Sequence, residues 1–317
     1  MATTPDITGG IDCEESRMPQ LKPIEESLQK LVHKGFASGG EPGQAVKNFL
    51  NGTWLGEPLH VVLTDVPIDA WTVALVFDGL DLMSNKREFA VAADASIAIG
   101  LVGAVGAAVT GVTDWQDLDA PARCLGMIHG LLNVSATALF ITSLVLRKTK
   151  SRTSGRVFAG LGYAVMSVAA HLGGKMVYEH RVGVDRTDGE AFPQDFVPVM
   201  SASDLAEAKP TRAEHDGVPI LLVRRGDRIF AMAETCSHFS GPLSEGKLVG
   251  DSIVCPWHAS RFALEDGRVL DGPAVHAQPC LRVRVQNGQI EIRKPLCDDA
   301  KPTPLVAAAT VSAGKPA

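Results

Sequence analysis

The sequence predicts a multidomain α plus β chain: an N-terminal four-helix transmembrane bundle followed by a small all-β domain. Three observations carry that reading. Long charge-free apolar runs are confined to the first 180 residues, short branched runs with hairpin turns begin near Val182, and two cysteine–histidine loops lie in the second half. The averages conceal this division. With 45% hydrophobic residues, 21% charged residues and a formal net charge of −6 over 317 residues, the chain resembles a soluble protein of about two domains. The mild acidity argues against a nucleic-acid partner, and six cysteines are too few for a disulfide-framed secreted module.

The helices follow from length and charge. Ala95–Thr113, Cys124–Leu146 and Val157–Gly174 are uncharged runs of 19, 23 and 18 residues. A span needs about 20 apolar residues at about 1.5 Å rise each, so every run reaches across a bilayer. Val66–Met83 is a fourth candidate despite Asp69, Asp78 and Asp81. The expected spans are 66–83, 89–113, 122–147 and 155–178. Gly100, Gly103, Gly106, Gly160, Gly162 and Gly173 suit close helix contact in lipid. Residues 1–45 form a polar segment with an amphipathic stretch at Ile24–Phe36, and no cleavable signal peptide is expected. The transmembrane domain is expected over 46–180 and a linker over 181–194.

The β domain, expected over 195–294, shows branched runs at Pro219–Val223, Arg228–Ala233 and Leu281–Val285. Gly226-Asp227, Asp266-Gly267 and Asn287-Gly288 separate strands as hairpin turns. Residues 295–317 have no core-forming pattern and are expected to be disordered.

Cys236-Ser-His238 and Cys255-Pro-Trp-His258 each deliver one thiolate and one imidazole. Such a donor set suits either zinc or iron–sulfur chemistry. The surrounding text, CSHFSGPL and then CPWHASRFALEDGRVLDGPA, resembles the Rieske iron–sulfur family over roughly Asp195–Arg293. The resemblance implies a [2Fe–2S] cluster with Cys236 and Cys255 on one iron and His238 and His258 on the other. Rieske proteins of cytochrome bc complexes add a disulfide between the loops; Gly241 and Trp257 stand at those positions here. Ser260 matches the hydroxyl that raises the potential in those proteins, while its tyrosine partner is Phe262. The motif therefore resembles the ferredoxin and oxygenase subtypes. Ala259 stands where glycine is common. Cys13, Cys124, Cys280 and Cys297 show no CxxC or CxxCH pattern and are read as incidental thiols.

Gly52-Thr-Trp-Leu-Gly-Glu-Pro-Leu-His60 resembles a bacterial membrane-domain family of unknown function, over roughly Val46–Tyr178. Glu57 replaces an expected histidine and Asp69 an expected glycine. His129 and His171 lie at matched depth, about 10 Å below one membrane face, with His60 near that face. These histidines are candidate axial ligands of a non-covalent b-type haem. The alternative is ordinary hydrogen bonding, as between His129 and Asn133. Asp78 and Asp94 are matched near the opposite face, as proton relays or as partners of Lys86 and Arg87. The basic loops RKTKSRTSGR and SNKREF oppose the acidic TDWQDLDAPAR, so positive-inside leans the Rieske domain toward the extracytoplasmic side of the cell membrane.

The expected function is a membrane-bound one-electron carrier, with a protein or quinone as donor and acceptor and with membrane lipid as partner. The alternative is a redox or iron sensor. A complete Rieske oxygenase is disfavoured, because its separate iron site has no room in the short chain beyond the β domain.

Overall fold

The computed structural model describes residues 21–149 and 151–295. Six helices come first: α1 (Lys22–Ser38), α2 (Gly40–Asn51), α3 (Leu59–Ser84), α4 (Arg87–Trp115), α5 (Ala122–Lys148) and α6 (Arg152–Tyr178). The last four are long and apolar enough to cross a membrane. α3 starts at Leu59, earlier than its charge pattern implied, because Pro58 sits extended at the N-cap; the helix continues through Pro67, as spans in lipid tolerate. His60 therefore stands in the first turn of a span. The basic loop after α5 shrinks to a short turn, since Arg147 and Arg152 lie inside helices.

The bundle is two tight hairpins, α3 with α4 and α5 with α6, packed more sparsely on each other. Glycines set the close approach. A Cβ at Gly100 would lie 2.2 Å from Trp71 Nε1, and one at Gly103 would lie 2.5 Å from Val66 Cγ1. The middle is sealed by Trp71 stacked on Phe140, ring centroids 4.0 Å apart, so the two hairpins share one aromatic plug.

The end away from the β domain holds a buried ion network. The Arg147 side chain is 0% exposed and its Nη1 donates to Asp78 Oδ1 at 2.7 Å and to Asp94 Oδ1 at 3.0 Å. Arg152 bridges Asp81 and Asp94, and Arg156 pairs with Asp81. This corrects the expected pairing of Asp78 and Asp94 with Lys86 and Arg87. Antiparallel packing brings the α5–α6 arginines onto the acids, where each charge is neutralised within the bundle.

Among the described residues, the second half has ten strands. β1 (Val197–Ser201), β2 (Thr211–His215), β3 (Val218–Arg225) and β4 (Arg228–Ala233) precede the short β5 (Lys247–Val249), β6 (Ser252–Val254), β7 (Arg261–Ala263) and β8 (Val269–Asp271). β9 (Cys280–Gln286) and β10 (Gln289–Arg293) close the domain. Two antiparallel sheets result, ordered β1-β10-β9-β4-β3-β2 and β5-β6-β7-β8. The expected turns form: Gly226-Asp227 joins β3 to β4, and Asn287-Gly288, with φ of 50° and 74°, joins β9 to β10. The first sheet and its turns bury Ile220, Leu222 and Ile290, whereas Ile253, Phe262 and Leu264 form a core under the second. Residues 296–317 lie outside the described residues.

Candidate metal centre

Two loops of the same design carry the four cysteine and histidine side chains. The first follows β4, and the second joins β6 to β7. In the first, Ser240 N–H donates to Cys236 O at 2.9 Å; in the second, Ala259 N–H donates to Cys255 O at 3.2 Å. The fifth residue of each loop is left-handed, with φ of 63° at Ser240 and 60° at Ala259. That conformation explains why glycine suits position 259: an alanine there carries about 1–2 kcal/mol of backbone strain.

The loops are latched from behind. Gln278, 1% exposed, accepts the Ser237 N–H at 3.1 Å and donates to Ala233 O at 2.9 Å. Glu234 accepts the Ser244 hydroxyl at 2.6 Å. Ser260, 0% exposed, accepts the Ala274 N–H at 3.0 Å, a bond that leaves its own proton to donate. No local motif announces Gln278, because it reaches the Cys236 loop from more than 40 residues away.

The four side chains divide into two pairs. The Cys236 and Cys255 side chains lie in one buried cluster, and the His238 and His258 rings lie 5.1 Å apart with their planes at 85°. A Cβ at Gly241 would lie 2.7 Å from Cys255 Sγ and 3.2 Å from the Trp257 ring, so glycine is needed for the loops to meet. The positions of the bc-type disulfide are thus filled by a ring against a glycine. No three described His, Cys, Asp or Glu side chains group as a single-ion site. The loop tips thus offer two sulfur donors and two nitrogen donors.

Electrostatics agree. The neighbouring Cys236 thiol, helped by the Trp257 and His258 N–H groups, lowers the Cys255 thiol to about 7. Cys236 is raised, first by Cys255 and then by burial. Burial, with His258 nearby, lowers His238 and keeps its imidazole neutral. A neutral imidazole and a thiol poised to ionise are the forms that bind metal. Cys280 is instead raised to about 12 by burial and Asp266.

The loop tips face the membrane domain. His258 Nε2 lies 3.5 Å from Asp119 Oδ2, in the α4–α5 connection. Asn48 of α2 holds the β domain beside it, donating to Asp271 Oδ1 and accepting from Gly272 N–H, both at 3.0 Å. Arg186 N–H of the linker donates to Ser237 O at 3.0 Å. Sequence reasoning found none of these contacts, which join residues far apart in the chain.

The expected pairing of His129 with His171 is corrected by side-chain direction. His171 is exposed on the outer face of α6 and does not meet His129. His60 and His129 do approach, with ring centroids 6.4 Å apart. Their Nδ1 atoms lie 2.9 and 2.8 Å from Ala107 O and Ala169 O, and His129 Nε2 lies 3.0 Å from Asn133 Nδ2. The hydrogen-bonding alternative holds for His129. Cys124, read as an incidental thiol, is disulfide-bonded.

Known proteins match the two halves separately. The Rieske [2Fe-2S] domain model matches residues 195–286, and the model described as Predicted membrane protein (DUF2231) matches residues 56–186. Ferredoxin CarAc of Metapseudomonas resinovorans is 32% identical over 100 residues, which are 31% of this chain and 94% of the relative. The anthranilate 1,2-dioxygenase ferredoxin subunit of Burkholderia cepacia is 28% identical over 103 residues, 32% of this chain and 95% of that one. Among solved structures, the ferredoxin of carbazole 1,9a-dioxygenase from Nocardioides aromaticivorans IC177 is 28% identical. It covers 32% of this chain and 100% of its own, with a TM-score of 0.31.

Proposed function

Because the chain belongs to the Rieske [2Fe-2S] family, we propose that it is a membrane-anchored one-electron carrier whose cluster is held by Cys236, Cys255, His238 and His258. The single observation that carries the ligand assignment is the division of these side chains into a thiol pair and an imidazole pair. The bound cluster supplies reversible one-electron transfer, with a potential raised by neutral histidine ligands. This chain's residues do the rest. Gln278 and Glu234 hold the first loop, Ser260 ties the second to Ala274, and Gly241 lets the loops close. Both curated relatives named above are ferredoxins or ferredoxin subunits, which supports a carrier in place of a complete oxygenase.

The acceptor or donor is reached at the membrane face, either a quinone or a membrane protein. The His258–Asp119 contact supports this, since it points one imidazole of the site at the bundle. The β domain lies on the extracytoplasmic side. Two observations support that side: the basic residues at the opposite end of the bundle, and the disulfide at Cys124, which suits an oxidising compartment.

The test is the electron spin resonance spectrum of the dithionite-reduced full-length protein. Cys236→Ser and His258→Ala each abolish the reduced-cluster signal. A signal that persisted in both variants would remove the ligand assignment. Rapid reoxidation of the wild type by a quinone analogue supports the quinone branch; reoxidation by membrane extract alone supports a protein.

A further inference from the structure

We infer that α1 and α2 lie in the plane of the membrane surface, their outward faces covered by lipid of the bilayer that the bundle spans. The inference starts from amphipathicity that is turned inside out. α1 buries Glu25 and Gln29, 2% and 9% exposed, while Ile24, Leu28 and Leu31 are 53%, 43% and 66% exposed. α2 buries Lys47 and Asn51, yet leaves Val46 and Phe49 more than half exposed. A helix on a water-soluble domain turns its apolar stripe inward and its polar stripe outward. Both helices here do the opposite.

Three of the four buried polar residues, Glu25, Gln29 and Lys47, meet one region of the protein, while the Asn51 amide has no hydrogen-bond partner among the described residues. Gln29 Nε2 donates to Trp115 O at 3.1 Å and Leu118 O at 2.9 Å, and Arg123 Nε pairs with Glu25 at 3.0 Å. Lys47 Nζ lies 2.9 Å from Asp117 Oδ2. All these partners belong to the end of α4, the start of α5 and the connection between them, where two spans emerge from lipid. The inner faces are thereby fixed at that level, and the outward apolar faces continue the lipid-facing surface of the spans.

Three further features fit lipid at headgroup depth. Trp54 is 60% exposed, just before α3 enters the membrane, and stacks on Phe49 with centroids 5.8 Å apart. Such aromatic side chains sit at membrane–water interfaces. Lys30 and Lys34 are exposed on α1, away from the apolar stripe. An apolar groove lined by Val32, Phe36, Pro42 and Val46 runs between the two helices. An in-plane helix of this kind sinks its apolar face about 5–10 Å into the headgroup and acyl boundary. Because Asn48 on the inner side of α2 grips Asp271 and Gly272, the lipid-seated helix also sets the height of the β domain.

The experiment uses full-length protein in phosphatidylcholine vesicles, with and without bromine on the acyl chains, and reads tryptophan emission. Tryptophans added singly as Leu31→Trp and Val46→Trp lose at least half of their extra emission to brominated lipid, and Lys30→Trp keeps its own. In the unmodified face, Trp54→Phe removes a quenchable component from the wild-type signal. Equal quenching at positions 30 and 31 overturns the inference, because the face would have no orientation to lipid. No quenching at 31 or 46 also overturns it. If copies carrying Val46→Cys then cross-link in pairs, a second chain covers the face in place of lipid.

Discussion

The two halves of the molecule bury polar groups by different means. In the bundle, beside neutral groups such as Thr110, Thr113 and Ser143, formal charges are buried too: Asp78, Asp81 and Arg147 are neutralised by one another and by the partly exposed Asp94, Arg152 and Arg156. In the β domain the buried groups are neutral amides and hydroxyls, with Glu234 an exception, and they hold backbone groups of the cluster loops. The solvent explains the difference. Helices in lipid satisfy their own backbones, so side-chain polarity there is free for links between helices. Irregular loops leave backbone groups open, and buried side chains must satisfy them.

The largest effect that tests this contrast is Arg147→Ala. It leaves Asp78 buried without its main partner, and removing one member of a buried pair costs about 3–5 kcal/mol. The loss is read as a lower denaturation midpoint of the bundle in detergent, with the cluster absorbance intact. Equal loss of cluster and bundle would show that the two halves do not keep separate accounts of polarity. Next comes Gln278→Ala, which strands the Ser237 N–H; it costs about 1–3 kcal/mol and accelerates cluster loss while the helix signal is unchanged.

A smaller effect probes the seam between the halves. Asp119→Asn removes a negative charge beside His258, and a carboxylate near a ligand imidazole enriches its electron density. The cluster potential, measured by optical titration, therefore rises in Asp119→Asn with no change in unfolding midpoint. The smallest effect is at Cys280. Its thiol stays protonated until pH approaches about 12, so folded protein resists iodoacetamide at pH 8. Unfolding restores reactivity, because the exposed thiol ionises near its ordinary value of about 8.5.

The candidate site was legible as a motif because its proposed ligands are local. Each Cys-x-His or Cys-x-x-His unit lies within one loop, and chemistry restricts which residues donate to metal. The spans were legible for a similar reason, since about 20 uncharged residues have few other uses. Depth arithmetic also placed His129 and His171 at one level, but it did not see azimuth: His171 points outward. The proton-relay pair failed likewise in its partners, because Arg147, Arg152 and Arg156 arrive from another hairpin. Asp216-Gly217, a turn between β2 and β3 with φ of 48° and 80°, has the same hairpin chemistry as the turns that were read correctly.

By itself, the sequence determined what each segment is made for: four lengths of apolar helix, hairpins with residues that tolerate positive φ, and two soft-donor loops. Those properties are set by side chains within a few residues of one another. Only the tertiary structure decided which faces meet: that Asp119 touches His258, that Gln278 latches the Cys236 loop, and that α1 shows its apolar side outward. Periodicity in a chain tells how apolar residues are spaced around an axis. The direction in which that axis is turned depends on contacts made across the whole fold.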